Sequence, residues 1–145
     1  MAQIEFIALA LEVPGDIRDQ MVAHAFGGLP NEACGLLGGR NEDGISKAEH
    51  FFPMTNADQS HLTYRLDGQE QLEVFKELDA KAWELVGIFH SHTHTEAYPS
   101  ATDRRQAFYP EAHYVLVSLQ DRNTPDLRAF TIRDEVVHEE ELKIV

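Results

Sequence analysis

Leu85-Val86-Gly87-Ile88-Phe89-His90-Ser91-His92 decides how this chain is read. Five apolar or small residues in a row have the length and composition of a buried central strand. Side chains two apart in an extended segment point the same way, so His90 and His92 converge on one point as the strand ends. His94 continues that alternation if the strand persists. A lone His-x-His occurs by chance in many chains. Three histidines in five positions directly after a strand point more strongly to metal binding or acid–base work.

Downstream, ten residues separate His92 from Asp103, and Ser100 lies three before that aspartate. Ser100-Ala101-Thr102-Asp103 reads as a helix start, with Ser100 as N-cap and Asp103 in the first turn. It reads equally as a third ligand brought to the histidines. Two imidazoles and a carboxylate leave a fourth tetrahedral position open for water, the arrangement of a catalytic zinc site. Upstream, Glu32 stands in Asn31-Glu32-Ala33-Cys34-Gly35. As a remote carboxylate it is a candidate general base for metal-assisted hydrolysis, and otherwise a solvated loop residue. Cys34 reads better as a small buried residue than as a nucleophile.

Working outward, Ile4 to Val13 reads as a first strand, ended by Pro14-Gly15. Ile17, Met21, Val22 and Ala25 recur at helical spacing over 16–26, with Asp16 as N-cap and Gly27-Gly28 and Pro30 as the stop. Ala33 to Leu37 is a short strand closed by Gly38-Gly39, and 46–53 is its return after a turn at 41–44. Asp67 with Glu70 has the form of a capping box ahead of a stripe at Leu72, Phe75, Leu78 and Ala82. Tyr114 to Leu119 and Leu127 to Arg133 pair as an antiparallel hairpin, and Val136 to Val145 adds a last strand. The expected class is α/β, a mixed sheet sandwiched by helices. The 145 residues are expected to form one domain.

Charge narrows the partners. The formal charge is −13, from 25 acidic and 12 basic residues, a field that repels phosphate backbones and anionic lipid. Neither nucleic acid nor membrane is therefore an expected partner. Glu139-Glu140-Glu141 reads as a solvated face. The apolar stretch Phe6 to Leu11 is too short to span a bilayer and lacks a basic flank, and the chain has a single cysteine. The expected setting is the cytoplasm.

Together, Glu32, His90-x-His92, Ser100 and Asp103 resemble the motif of the JAMM (MPN-plus) metalloproteases, whose fold is cytidine-deaminase-like. The resemblance implies that His90, His92 and Asp103 bind Zn2+ and that Glu32 takes a proton from a zinc-bound water. It also implies that Ser100 stabilises the oxyanion formed when a peptide or isopeptide carbonyl is attacked. The stretches Pro30 to Gly35, Thr63 to Asp67, Thr95 to Ser100 and Ala112 to Ser118 resemble bacterial CysO-cysteine peptidases. That implies release of a C-terminal cysteine from a small ubiquitin-like sulfur-carrier protein (CysO-like) in cysteine biosynthesis. Thr93 stands where the eukaryotic deubiquitinases of the family usually carry proline. His94 stands where a small residue is expected, as a spectator, a substrate contact or a competing ligand.

Four rivals remain. An isopeptidase or desampylase-like protease would act on other ubiquitin-like tails. A cupin-type site would use Glu96 with His90 and His92. A histidine-triad hydrolase would want apolar separators where Ser91 and Thr93 stand. A non-catalytic MPN scaffold would characteristically have lost its ligands, and this chain retains every position. His-His-Asp also accepts iron, cobalt or manganese.

Overall fold

The computed structural model describes residues 9–145. They form β1 (Ala10–Val13), α1 (Gly15–Gly28), β2 (Cys34–Glu42), β3 (Ile45–Met54), α2 (Gly68–Lys81), β4 (Glu84–His92), α3 (Ala101–Arg105), β5 (His113–Ser118), β6 (Asp126–Arg133) and β7 (Val136–Ile144). Of the first expected strand, positions 4–8 lie outside the described residues, and pairing begins at Ala10.

The expected mixed sheet is present. β4 runs parallel to β5, β1 runs parallel to both β3 and β7, and the remaining neighbours are antiparallel. The expected layer between helices takes a different form, because β1 pairs on both sides and closes the order β1-β3-β2-β4-β5-β6-β7 on itself. Closure requires strands to bend, and β2 bends at Gly38 and Gly39, where its register shifts against both neighbours. These glycines do not end the strand, as their sequence suggests; it continues to Glu42. They permit close approach instead. A Cβ at Gly38 would lie 2.6 Å from Leu78 of α2, and one at Gly39 would run into the Lys47 carbonyl oxygen.

Strand alternation sorts the core into two main clusters, beside a smaller one of Ala97, Leu116 and Phe130. Leu37, Phe51, Phe89 and Val115 cluster with Ile17, Met21 and Ala25 of α1. Their sequence neighbours Leu36, Phe52, Ile88 and Tyr114 cluster with Val74 and Leu78 of α2. Each fully buried Leu, Ile, Met or Phe contributes about 1.5–3 kcal/mol.

The start of α1 departs from expectation, and that of α2 does so in part. The N-cap of α1 is Pro14, not Asp16, because the Arg18 amide donates to the Pro14 carbonyl at 3.0 Å and so starts the helix two residues earlier, while the Gly15 amide donates to the Val145 carbonyl at 3.0 Å. Asp16 instead accepts from the Ile17 amide at 2.9 Å. Asp67 does cap α2, accepting from the Glu70 amide at 3.2 Å. The reciprocal half of that box is missing, since the Glu70 carboxylate accepts from the amide and hydroxyl of Thr55 at 2.7 and 2.8 Å. Val74 and Leu78 set the inward face of α2, so Leu72, two residues from Val74 and round the helix, is 49% exposed. Along β7, Glu139 and Glu141 are exposed and Glu140 half-buried. Among the described residues no helix is long and apolar enough to cross a membrane.

Candidate metal centre

Strand β4 runs further than its apolar segment and includes both histidines. Ile88, His90 and His92 share one side of it, and both imidazoles are buried. Asp103 reaches them from α3, where Ser100 is the N-cap expected from the sequence and the structure adds a full capping box. The Ser100 hydroxyl oxygen accepts from the Asp103 amide at 3.1 Å, and Asp103 Oδ2 accepts from the Ser100 amide at 2.9 Å. The same Oδ2 lies 3.1 Å from His90 Nε2 and 3.1 Å from His92 Nε2. Helix start and convergence on the histidines are thus one arrangement. The three donor atoms lie within 4.8 Å of one another.

The donor chemistry fits a cation. His92 Nδ1 is 2.8 Å from the Glu96 carbonyl oxygen, which only accepts, so Nδ1 carries the proton. Neutral His92 therefore aims an Nε2 lone pair at the Asp103 oxygen, acceptor against acceptor. A cation relieves this, either a second proton on the ring or a metal ion among the three donors. Fixing the far nitrogen through a backbone carbonyl is how metal-binding histidines are commonly oriented. Without a metal, burial pushes His92 down, but its bonds to Asp103 and Glu96 outweigh burial and raise it. Burial lowers His90. Asp103 is held well below the usual carboxylate range, because His90, His92 and the Ser100 amide outweigh its burial.

Glu32 is brought in by sheet register. Cys34 lies opposite His90 in an antiparallel ladder, so the chain two residues before Cys34 runs towards His92. Ser91, pointing away from the two imidazoles, clamps this segment. Its amide donates to the Ala33 carbonyl at 3.0 Å, and its hydroxyl accepts from the Ala33 amide at 2.8 Å. Glu32 is only 4% exposed, so it is not a solvated loop residue. Its Oε1 is buried with no hydrogen-bond partner among the described residues. Burial pushes its carboxyl up to about 8, with His92 opposing and Asp103 reinforcing.

Residues 14–133 match the family model described as prokaryotic homologs of the JAB domain. The chain belongs to the prokaryotic JAB-domain family. It is 46% identical over 135 residues to a Mycobacterium tuberculosis protein named CysO-cysteine peptidase, covering 93% of this chain and 91% of that one. A Haloferax volcanii desampylase is 33% identical over 119 residues, covering 79% and 84%. Among solved structures, a Desulfitobacterium hafniense protein superposes with a TM-score of 0.86 at 39% identity, covering 93% and 92%. A Salinibacter ruber protein does so at 0.65 and 29%, covering 92% and 91%.

As a JAMM-type metallopeptidase, the chain keeps its rivals' residues out of the cluster. Glu96 is exposed and offers His92 its carbonyl, not its carboxylate, so the cupin arrangement fails. His94 lies past the end of β4, exposed, with Nδ1 2.8 Å from the Thr93 hydroxyl; it is not one of the converging donors. Cys34 is fully buried, and burial pushes its thiol up to about 12, so it holds its proton at neutral pH. The Ser100 hydroxyl oxygen is occupied as the cap acceptor, which leaves its O–H free to donate.

Two neighbours of the site were not legible as such. Ser91 is signalled only by its place between His90 and His92, on the opposite face. Tyr64 stacks on His90 with ring centroids 4.3 Å apart and planes 20° apart. It arrives on a loop whose path no periodicity gives.

Proposed function

We propose that this chain hydrolyses the bond joining a C-terminal cysteine to the terminal glycine of a small ubiquitin-like sulfur-carrier protein, a step of cysteine biosynthesis, with zinc as its ion. The observation that carries the reading is Glu32, a buried carboxyl with a partnerless oxygen beside a converging His-His-Asp set. Similarity to the mycobacterial CysO-cysteine peptidase supports this substrate. The reading takes the chain as one cytoplasmic domain.

In this reading His90, His92 and Asp103 hold the ion. A divalent metal there supplies Lewis acidity and lowers the pKa of water to about 7. Glu32 takes a proton from the attacking water and delivers it to the departing amine. Its apolar surroundings favour holding that proton, which suits a group that must carry it between the two steps. Ser100 donates its O–H to the carbonyl oxygen as negative charge develops there, a contact worth about 3 kcal/mol where such donors have been removed.

The test is to incubate the zinc-loaded protein with a sulfur-carrier protein ending in Gly-Gly-Cys and follow the carrier's mass. Loss of one cysteine, blocked by a chelator, is the expected result. An unchanged mass refutes this substrate. Resemblance to the Haloferax desampylase supports a second reading, cleavage of other ubiquitin-like tails and isopeptides, assayed on those conjugates.

A further inference from the structure

We infer that Asn56 is a positioning residue that holds both Glu32 and Tyr64 against the His90–His92–Asp103 cluster. The inference rests on the reading of Glu32 as the base. Glu32 poses a mechanical problem, because its Oε1 has no hydrogen-bond partner to fix the carboxyl. Its place must then be set by its backbone and by packing.

That backbone is gripped on both sides by the segment after β3. The Glu32 amide donates to the Ser60 carbonyl at 2.8 Å. The Glu32 carbonyl accepts from Asn56 Nδ2 at 3.0 Å. Asn56 Nδ2 also donates to the Thr63 carbonyl at 2.9 Å, with the Ser60 carbonyl further off at 3.4 Å. Asn56 Oδ1 accepts from the amides of Asp58 at 3.0 Å and Arg65 at 3.1 Å.

An asparagine amide has two N–H donors and two oxygen lone pairs, and here all are engaged by a side chain only 9% exposed. Two of the contacts, Thr63 and Arg65, bracket Tyr64, the ring stacked on His90. One planar group thus ties the carbonyl of the base to the backbone flanking the residue that packs a metal-binding histidine. No other side-chain type of this length has paired donors and paired acceptors. Aspartate keeps the acceptors and loses both donors, and alanine loses everything.

Asn56→Ala and Asn56→Asp test this, read by steady-state kinetics on the carrier substrate, metal content, and amide hydrogen exchange. In both variants kcat is expected to fall about tenfold to a hundredfold, the cost of a slightly misplaced catalytic group. KM stays within about threefold and the metal stays at one per chain, a split that general loosening of the fold would not give. Exchange at the Glu32 amide accelerates about tenfold or more in both variants. The Arg65 amide loses protection in the alanine variant and keeps it in the aspartate variant.

Unchanged exchange at Glu32 overturns the inference, and so does faster exchange with kcat intact. If the wild-type protein cleaves no ubiquitin-like tail, the reading of Glu32 as a base fails on its own account. The exchange data still decide whether Asn56 holds the two segments.

Discussion

Replacing Glu32 by glutamine in the metal-free protein should remove a specific pH dependence of stability. Burial raises the Glu32 carboxyl from its ordinary 4.5 to about 8, so the folded state binds this proton more tightly than the unfolded state does. Its contribution is fully present below about pH 4.5 and is lost as pH rises through about 8. The gap between the two values is worth about 5 kcal/mol in full, of which about 4 kcal/mol is expressed by pH 8. Glutamine mimics the protonated acid and does not titrate. In urea denaturation with a chelator present, Glu32→Gln should match the wild type at about pH 5 apart from a constant offset. It should gain about 4 kcal/mol on the wild type by about pH 8. The comparison cancels the titrations of His90 and His92 to first order, since both proteins retain them. A stability difference that does not change with pH would refute the claim that burial favours the neutral carboxyl of Glu32 in the metal-free protein.

Other substitutions separate the remaining roles. Asp103→Ala should abolish stoichiometric metal binding by elemental analysis, whereas a site built on the Glu96 carboxylate would retain it. Ser100→Ala should lower kcat by about a hundredfold with KM nearly unchanged, and a change confined to KM would remove its role towards the oxyanion. Gly39→Ala should cost about 3 kcal/mol or more of stability by denaturation, because the new methyl meets the Lys47 carbonyl on a paired strand; a near-neutral effect would contradict the bulge geometry.

How far the sequence could be read depended on whether a signal was local. The β4 histidines, the Ser100–Asp103 cap and the β5–β6 hairpin rest on alternation and capping chemistry within a few residues, and each is found where it was expected. Glycine was misleading in β2, where Gly38 and Gly39 look like a strand end but serve a bulge against Leu78 and Lys47. Asp16 was misleading in α1, because the helix already starts at Gly15, whose amide is satisfied by the Val145 carbonyl, an acceptor remote in sequence. The burial of Glu32 was likewise out of reach, since it depends on β2 lying antiparallel to β4 and on the loop carrying Asn56 and Tyr64. Ring closure depends on β1 finding two partners, β3 and β7, far along the chain.

The most direct test of the account is a zinc titration of chelator-treated protein, with hydrolysis of the Gly-Gly-Cys carrier followed at each step. If His90, His92 and Asp103 hold the ion on which hydrolysis depends, activity should be absent without metal and rise to a break at one equivalent per chain. Turnover that survives chelation, or that shows no such break, would contradict it.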